Sequence, residues 1–487
     1  MVLELVPAGQ FIPTPAAAAA PQPAGGEGQA PALKAVPEAV QTAVKEVQLS
    51  RHGDDWGADL PPGLAPHGTA YRLVLTGPGG SRLVRRDPWA RSAEHTTSWC
   101  FVHSADAYQW RHPDWQPLSF DKYIIYEMHV GSFTPEGTLA AAAARLPHVA
   151  ALGFTLIELM PCQEHSDPWG YNPRQLLALH RPMGTPEDMK AFVDTAHGLG
   201  VGVMMDVVLH HGAPSGNMLW DWDGWEQGAN GGIYHEGAPD CPWGRQWDLP
   251  RLRTAMGVHF GFESPTQCIK YMTGSHDQVG CQRNGGWYQD YAPVGGHHRY
   301  AVDQFCGGRT DPNAAACARL WYAANVAAAG LPMLFMGTEF AQSGWWHNDE
   351  HHRLQWDNAE DDIGRGMMAA VGDANRLRAS YPALRYGWAN CIHEDRKNGV
   401  MGYERCSAGE TRVVVVVNAA RQRWQEGDYG LWVGGGGTFK QVYCSQDSAY
   451  GGDPQWRSND VVQEYDGRIY LSLPPSCTLV LVQQPAE

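Results

Sequence analysis

The alternation of strand-like and helix-like runs between residues 123 and 209 limits the fold more than any other feature of the chain. Strands are predicted where apolar residues run together and end in polar ones, at 123–130, 155–161 and 201–209. Helices are predicted between these strands, at 139–152 and 186–199. Strands and helices that alternate in this way form the βαβ units of a parallel sheet, which places the chain in the α/β class.

The same pattern returns in the second half of the chain, with strands at 269–277 and 331–337 and a helix near 364–379. The flanks are different, because residues 50–118 and 397–483 contain short strands that are separated by Gly-rich turns. Such segments are typical of small all-β domains. We therefore predict a central α/β domain between two β domains.

The net charge of −16 argues against nucleic acid as a partner, since that binding depends on Lys and Arg. No apolar run approaches the roughly 20 residues of a membrane helix. The 20 Trp residues mildly favour carbohydrate, because indole faces stack on sugar rings, although large aromatic side chains also fill cores.

The 11 Cys are odd in number, scattered and free of any C-x-x-C motif, so they indicate neither a disulfide framework nor a zinc site. We expect a reducing, intracellular compartment. Residues 1–49 are mostly Ala/Pro-rich and are predicted to be disordered. They lack the pattern of a secretory signal, and the choice between plastid and cytoplasm stays open.

Polar residues stand at the carboxyl ends of the predicted strands. In a barrel of eight β/α units the catalytic side chains lie at these ends. A single acid in such a place is more often a helix cap or a loop ion pair, but a succession of them indicates a site. The residues are Glu127, His129, Glu158, Asp206, His210, His211, His276, Asp277 and Glu339.

Several motifs in this order resemble glycoside hydrolase family 13, the α-amylase superfamily. "DVVLHH" at 206–211 resembles its first conserved region, with His210 where Asn is usual, and "GSHDQVG" at 274–280 resembles its fourth. "YEMHVGSFTPEGT" resembles the first barrel strand and loop of the branch that holds the branching enzymes and the trehalohydrolases, and "IELMPCQEHSDPWGYNP" resembles the second strand and its loop. "PMLFMGTEFAQSGWW" is similar to the glucan branching enzymes.

The resemblance implies an incomplete TIM (β/α)8 barrel with an N-terminal β-sandwich and a C-terminal all-β domain. It implies a partial, immunoglobulin-like, glucan-binding sandwich at 50–118, a truncated barrel at 119–385 and a C-terminal β-sandwich at 386–487.

The resemblance also implies roles for individual residues. Asp206 and His211 would shape a sugar subsite, and Tyr171 would stack on the sugar, with Trp169 in the same loop. His276 would bind sugar hydroxyls, and Asp277 would be the carboxylate that stabilises the distorted, oxocarbenium-like sugar.

Two further carboxylates that the family needs are not found: a nucleophilic Asp in a "G-x-R-x-D" context and an acid/base Glu. From Asp206 to Asp277 is 277 − 206 = 71 residues. If these residues follow strands three and seven, four β/α steps of about 30 residues each must fit between them. The interval is too short. A deletion that joins two distant parts near Cys241–Trp247 explains this, and whether it comes from an alternative transcript or a gene-model error stays open.

The remaining acids of the interval are more typical of loops and helix caps than of strand ends. They are Asp221, Asp223, Glu226, Glu236, Asp240, Asp248 and Glu263. No metal site is predicted, because "HNDEHH" at 347–352 lacks the H-E-x-x-H order, and no cofactor is expected.

The expected partner is an α-glucan such as starch, glycogen or a maltooligosaccharide. By resemblance the activity is α-1,4-glucan branching, in which an α-1,4 link is cleaved and an α-1,6 link is formed. We expect this chain to be inactive, since the nucleophile and the acid/base are absent. The alternatives are a catalytically dead glucan-binding protein and a related hydrolase of maltooligosyl trehalose or starch.

Overall fold

A computed structural model gives the structure of the chain. It describes residues 1–11, 44–53, 55–94, 97–209, 212–213, 217–218, 222, 268–280, 300–304, 307–349, 351–386, 388–406, 409–435 and 437–485.

The N-terminal part contains one five-stranded sheet, in the order β2-β1-β5-β6 with β7 paired to β5, and a separate hairpin, β3-β4. The strands are β1 (Val2–Val6), β2 (Lys45–Gln48), β3 (Ser50–His52), β4 (Asp55–Gly57), β5 (Ala70–Thr76), β6 (Arg82–Arg85) and β7 (Cys100–Phe101). Trp99 and Val6 are buried beneath the sheet. The strand pairing does not test the predicted β-sandwich at 50–118, which stays a prediction.

The prediction of disorder for residues 1–49 is wrong at both ends of that segment, because β1 and β2 are paired strands. β1 also pairs with β5 along its whole length. The "VLELV" run of β1 is short, mostly apolar and partly β-branched, and such a run is consistent with a buried strand. The Ala/Pro-rich part at 12–43 lies outside the described residues.

A five-stranded parallel sheet forms the centre of the molecule, in the order β12-β9-β8-β14-β13. Its strands are β8 (Ile125–Met128), β9 (Leu156–Leu159), β12 (Gly202–Met205), β13 (Ile269–Lys270) and β14 (Leu331–Phe335), and a hairpin of β10 (Gln163–His165) and β11 (Pro173–Leu179) follows β9. This is the order of strands 3-2-1-8-7 in an eight-stranded barrel. The predicted incomplete barrel is therefore confirmed, and β12 and β13 are its edges in the described part of the chain.

The helices of the described residues are α1 (Val130–Phe133), α2 (Leu139–Ala151), α3 (Pro186–Gly198), α4 (His276–Gly280), α5 (Ala301–Gln304), α6 (Pro312–Ala327), α7 (Asp362–Ser380) and α8 (Ala383–Tyr386). Two helices contact the central sheet directly, since α3 lies against β12 and α6 against β14. α3 begins at a capping box in which Thr185 and Asp188 bind each other's backbone N–H groups. Its apolar face, with Phe192 and Ala196, joins the core.

The predicted C-terminal all-β domain is confirmed. Its strands are β15 (Trp388–Asp395), β16 (Val400–Cys406), β17 (Val413–Asn418), β18 (Trp424–Trp432), β19 (Thr438–Cys444), β20 (Val461–Gln463), β21 (Arg468–Leu473) and β22 (Cys477–Gln483). They form a six-stranded sheet, β15-β16-β17-β22-β19-β20, and a two-stranded sheet, β18-β21. Apolar side chains from both sheets, such as Leu479 and Leu431, make one core between them.

The outer face of the six-stranded sheet packs against α6 and α7. Arg319 of α6 donates a hydrogen bond of 2.9 Å to the carbonyl oxygen of Ser445, and the Thr478 hydroxyl donates one of 2.9 Å to that of Leu320. Within the described residues, no helix has the length and apolar character that crossing a membrane requires.

Candidate functional site

Three acids stand side by side where the central strands end. Glu127 of β8 and Glu158 of β9 are direct partners in the parallel register. Asp206 follows β12, and its N–H donates to the Leu159 carbonyl oxygen at 2.9 Å. Apolar side chains, including Ile125 and Leu156, fill the interior of the sheet below them. The predicted gathering of acids at the carboxyl ends is therefore present for these three.

His276 links Glu127 to Asp277. Its Nδ1 lies 2.5 Å from Glu127 Oε1, its backbone N–H donates to Glu127 Oε2 at 3.0 Å, and its Nε2 lies 3.3 Å from Asp277 Oδ1. Burial lowers the pKa of His276, but hydrogen bonds to Asp277 and Glu127 outweigh it and raise the pKa to about 10. The ring is thus an imidazolium held between two carboxylates. The sequence placed Glu127 among the strand-end candidates but did not predict that it pairs with His276.

Tyr171 is fixed over the site by two contacts. Its hydroxyl donates a hydrogen bond of 2.8 Å to Asp206 Oδ2. Its ring stacks on the His276 ring with centroids 5.1 Å apart and planes at 22°. The structure therefore brings together the four predicted residues Tyr171, Asp206, His276 and Asp277, which come from three different loops.

The loop that carries Trp169 and Tyr171 is held by Asp167. Its Oδ1 accepts backbone N–H bonds from Trp169 and Gly170 at 2.9 Å each, and its Oδ2 accepts one from Asn172 at 2.6 Å. Gly170 has φ +96°, and a Cβ there would lie 2.5 Å from the Pro161 carbonyl oxygen. The tight Trp-Gly-Tyr turn therefore needs glycine at its centre.

A layer of aromatic and polar side chains supports this loop. Trp169 meets His276 edge-on with centroids 6.0 Å apart and lies 4.9 Å from Trp346. Trp346 is fully buried and donates its ring N–H to Ser132 Oγ at 2.6 Å. Ser132 Oγ is 2.9 Å from Nδ1 of His129, which is also buried. His129, a candidate from its strand-end position, thus supports the site from below. Trp346 was missed, although the Trp-Trp pair after the last strand was a possible signal.

Glu158 differs electrostatically from the other acids of the group. Burial, followed by the charges of Glu127 and Asp206, raises its pKa from 4.5 to about 8, and the charge of His276 opposes this only in part. Its Oε2 is buried without a hydrogen-bond partner in the described part of the chain. Glu158 therefore holds a proton near neutral pH.

Glu339 was a candidate from its position after the last strand, but it points away from the site. Its Oε1 accepts a hydrogen bond of 2.8 Å from the Tyr126 hydroxyl and lies 3.2 Å from His148 Nε2, while its Oε2 accepts the Gly337 N–H at 2.8 Å. The carboxylate is completely buried between the sheet and α2. Its role is structural.

His211 and His210 lie outside the described residues, as do the seven acids of the interval and the proposed junction at Cys241–Trp247. Their predicted roles stay predictions.

Comparison with known proteins agrees with this geometry. Residues 92–221 match the α-amylase catalytic domain, and residues 388–484 match the α-amylase C-terminal all-beta domain. The chain is built from α-amylase family domains. Malto-oligosyltrehalose trehalohydrolase of Deinococcus radiodurans is 38% identical over 178 residues, which is 36% of this chain and 28% of that protein. The matched part thus spans little more than a quarter of this relative.

The 1,4-alpha-glucan branching enzyme GlgB 2 of Xanthomonas euvesicatoria pv. vesicatoria is 26% identical over 571 residues, covering 88% of this chain and 75% of that enzyme. Only 88% of the 487 residues, about 429, take part in this alignment, so roughly 571 − 429 = 142 aligned positions have no counterpart in the chain. Three β/α units of a barrel amount to about 90 residues.

Solved structures share the fold. A pullulanase from Anoxybacillus sp. LM18-11, complexed with maltotetraose, has a TM-score of 0.66 at 14% identity and covers 91% of this chain and 82% of that one. Pullulanase from Bacillus acidopullulyticus has a TM-score of 0.64 at 14% identity, with 90% and 70% covered. At these identities the likeness concerns the fold.

Proposed function

We propose that this chain binds an α-glucan at the open barrel mouth without transferring it, as a non-catalytic derivative of a glucan branching enzyme. The observation that carries the proposal is the arrangement of Tyr171, Asp206, His276 and Asp277. The Tyr171–Asp206 hydrogen bond and the stacking on His276 hold these side chains in one place before any ligand arrives.

The site offers the two kinds of contact that a glucose ring needs. Asp206, Asp277 and the imidazolium of His276 can accept or donate hydrogen bonds to sugar hydroxyls, and charged partners make such bonds stronger than neutral ones. The Asp277 side chain is 47% exposed, so it is open to a ligand. The rings of Trp169 and Tyr171 can cover the apolar face of a sugar.

Among the described residues, the site has no counterpart of the two strand-borne carboxylates that carry glucosyl transfer in the family. Retaining transfer needs one carboxylate that attacks the anomeric carbon and another acid that protonates the leaving oxygen. Glu127 forms an ion pair with His276. Among the described residues, the chain has no strand of the central sheet between β12 and β13, which is where the strands with the family's nucleophile and acid/base would lie. The roughly 571 − 429 = 142 aligned positions that the branching enzyme has in excess support the same interpretation.

Affinity electrophoresis in amylose gels tests the binding. Removing the aromatic ring with Tyr171→Ala should weaken retention about tenfold, since a stacking contact contributes roughly 1.5 kcal/mol. Tyr465→Ala is the control, because Tyr465 is 77% exposed in the C-terminal domain, away from this site. Equal retention of both variants and the parent chain would refute the proposed platform.

Reducing-end release and the iodine-stain shift of amylose test the absence of turnover on the same purified chain. We expect neither to change above the buffer blank. Clear turnover by the 487-residue chain would show that the missing carboxylates are replaced by others.

A second candidate function, weak hydrolysis, is favoured by one observation. Glu158 lies beside Asp206 and holds a proton near neutral pH, and a carboxyl group whose pKa is raised by burial can act as the general acid of a glycosidase. If hydrolysis occurs, Glu158→Gln should abolish it while glucan retention stays. The intracellular location, with plastid or cytoplasm open, also stays a prediction.

A further inference from the structure

A cluster of two histidines and one glutamate lies outside the barrel mouth, between the N-terminal sheet and the barrel. His67 precedes β5, His103 follows β7, and Glu187 is the second residue of α3. Their ligand-type atoms all lie within 4.8 Å of one another. His103 Nδ1 is 3.0 Å and His67 Nε2 is 3.7 Å from the same oxygen, Glu187 Oε1.

These separations are close to those around a tetrahedral zinc ion. Zn–N bonds of about 2.0–2.1 Å and Zn–O bonds of about 2.0–2.2 Å place neighbouring ligand atoms roughly 3.3 Å apart. The observed 3.0 and 3.7 Å lie on either side of that value. Two imidazoles with one carboxylate are also a ligand set that zinc commonly uses.

Two of the three atoms have unmet bonding capacity. His103 Nδ1 and Glu187 Oε1 are both buried, and neither makes a hydrogen bond with the residues that the structure describes. They face each other at 3.0 Å, but their directions are not those of a hydrogen bond. Buried polar atoms without partners are uncommon in folded proteins, so this pair points to a further group between them.

Space for a fourth ligand adjoins the cluster. All three residues line a cavity of about 320 Å³ between the two domains. Arg181 and Glu94 line the same cavity with opposite charges. A water molecule fits this volume and could complete a tetrahedron.

One existing bond must be exchanged for metal binding. The Ser104 backbone N–H donates to His67 Nδ1 at 3.1 Å, which places the proton of the neutral ring on Nε2. Coordination through Nε2 needs that proton on Nδ1, so the Ser104 hydrogen bond must open. This bond is exposed, and water can replace it.

We propose that His67, His103 and Glu187 bind a divalent transition metal ion, with Zn²⁺ as the best match, and that the ion fastens the N-terminal sheet to α3. The proposal departs from the expectation that the chain holds no metal. It does not depend on glucan binding, because its residues are separate from those at the barrel mouth.

Equilibrium dialysis of the full chain against Zn²⁺, with metal analysis, tests the proposal. We expect one tightly bound equivalent. His103→Asn and Glu187→Gln should each weaken it at least tenfold, because each removes one of three protein ligands. His52→Asn removes an exposed histidine of β3 and Asp349→Asn alters a second His/Asp group, so both controls should keep the parent affinity.

Co²⁺ substitution gives a second readout that a merely structural role would not produce. The parent and the two controls should show the visible absorption of tetrahedral Co²⁺, and His103→Asn should lose it. No bound equivalent in the parent chain, or equal Zn²⁺ affinity in parent, His103→Asn and Glu187→Gln, would overturn the proposal.

Discussion

The C-terminal domain and the barrel differ in how completely their sheets are covered. In the C-terminal domain, side chains from two sheets close over one core, and Leu479 between them is fully buried. The barrel sheet ends at β12 and β13 in the described residues, and Leu209, just beyond β12, is 77% exposed. His276, which follows the edge strand β13, is nevertheless held in place because its partner Glu127 belongs to β8 in the middle of the sheet. An interrupted barrel can thus keep one side of its site.

The edge strands β12 and β13 have no further strand beside them in the described residues, and this affects solubility. Apolar side chains next to both edge strands are exposed, including Val207 after β12 and Tyr271 after β13. Unpaired strand edges with apolar neighbours favour association between copies. We therefore expect the barrel edge, and not the C-terminal domain, to set the solubility of the chain.

The largest expected effect is on the free energy of unfolding, when the same Leu→Ala substitution is made in each of the two regions. Leu479→Ala leaves a cavity in a closed core and should lower the free energy of unfolding by about 2–5 kcal/mol. Leu209→Ala removes an exposed side chain and should change it by less than about 0.5 kcal/mol. Urea unfolding followed by Trp fluorescence measures both. Equal losses would mean that the edge is packed as tightly as the sandwich.

A smaller effect concerns the turn that carries Trp169 and Tyr171. Gly170→Ala places a Cβ 2.5 Å from the Pro161 carbonyl oxygen at φ +96° and should cost roughly 1–3 kcal/mol. Gly200→Ala is the matched control, since Gly200 has φ +76° but no atom lies within 4 Å of the position that its Cβ would take. Only Gly170→Ala should also weaken retention in amylose gels. If both variants bind alike, the turn does not position the rings.

The smallest effect is a pH dependence at Glu158. Its pKa is raised to about 8 in the folded protein, so between pH 4.5 and 8 the unfolded chain loses a proton that the folded protein keeps. Stability therefore falls as pH rises through this window, and it is fully retained only below it. Glu158→Gln does not titrate, so its stability relative to the parent chain should rise as the pH increases from 4.5 to 8. A difference that stays constant with pH would contradict the raised pKa.

Sequence patterns located the central strands, but the predicted strand at 269–277 is only Ile269–Lys270, and His276 and Asp277 lie in helix α4. Asp206, His276 and Asp277 follow strands that the apolar runs marked, and the 71-residue interval between Asp206 and Asp277 indicated the interruption. Tyr171 came from the resemblance, since nothing in its local pattern separates it from a loop aromatic. β1 was missed because its strand partners lie more than 40 residues away along the chain.

The sequence by itself determined which segments form strands and helices, because hydrophobic periodicity and capping residues act over a few positions. Only the tertiary structure decided what the strand-end acids do. Glu127 meets His276 across 149 residues, and Glu339 turns to Tyr126 in the core across 213. Such contacts depend on strand order and on the side of the sheet that each carboxylate faces, and neither is a property of local sequence.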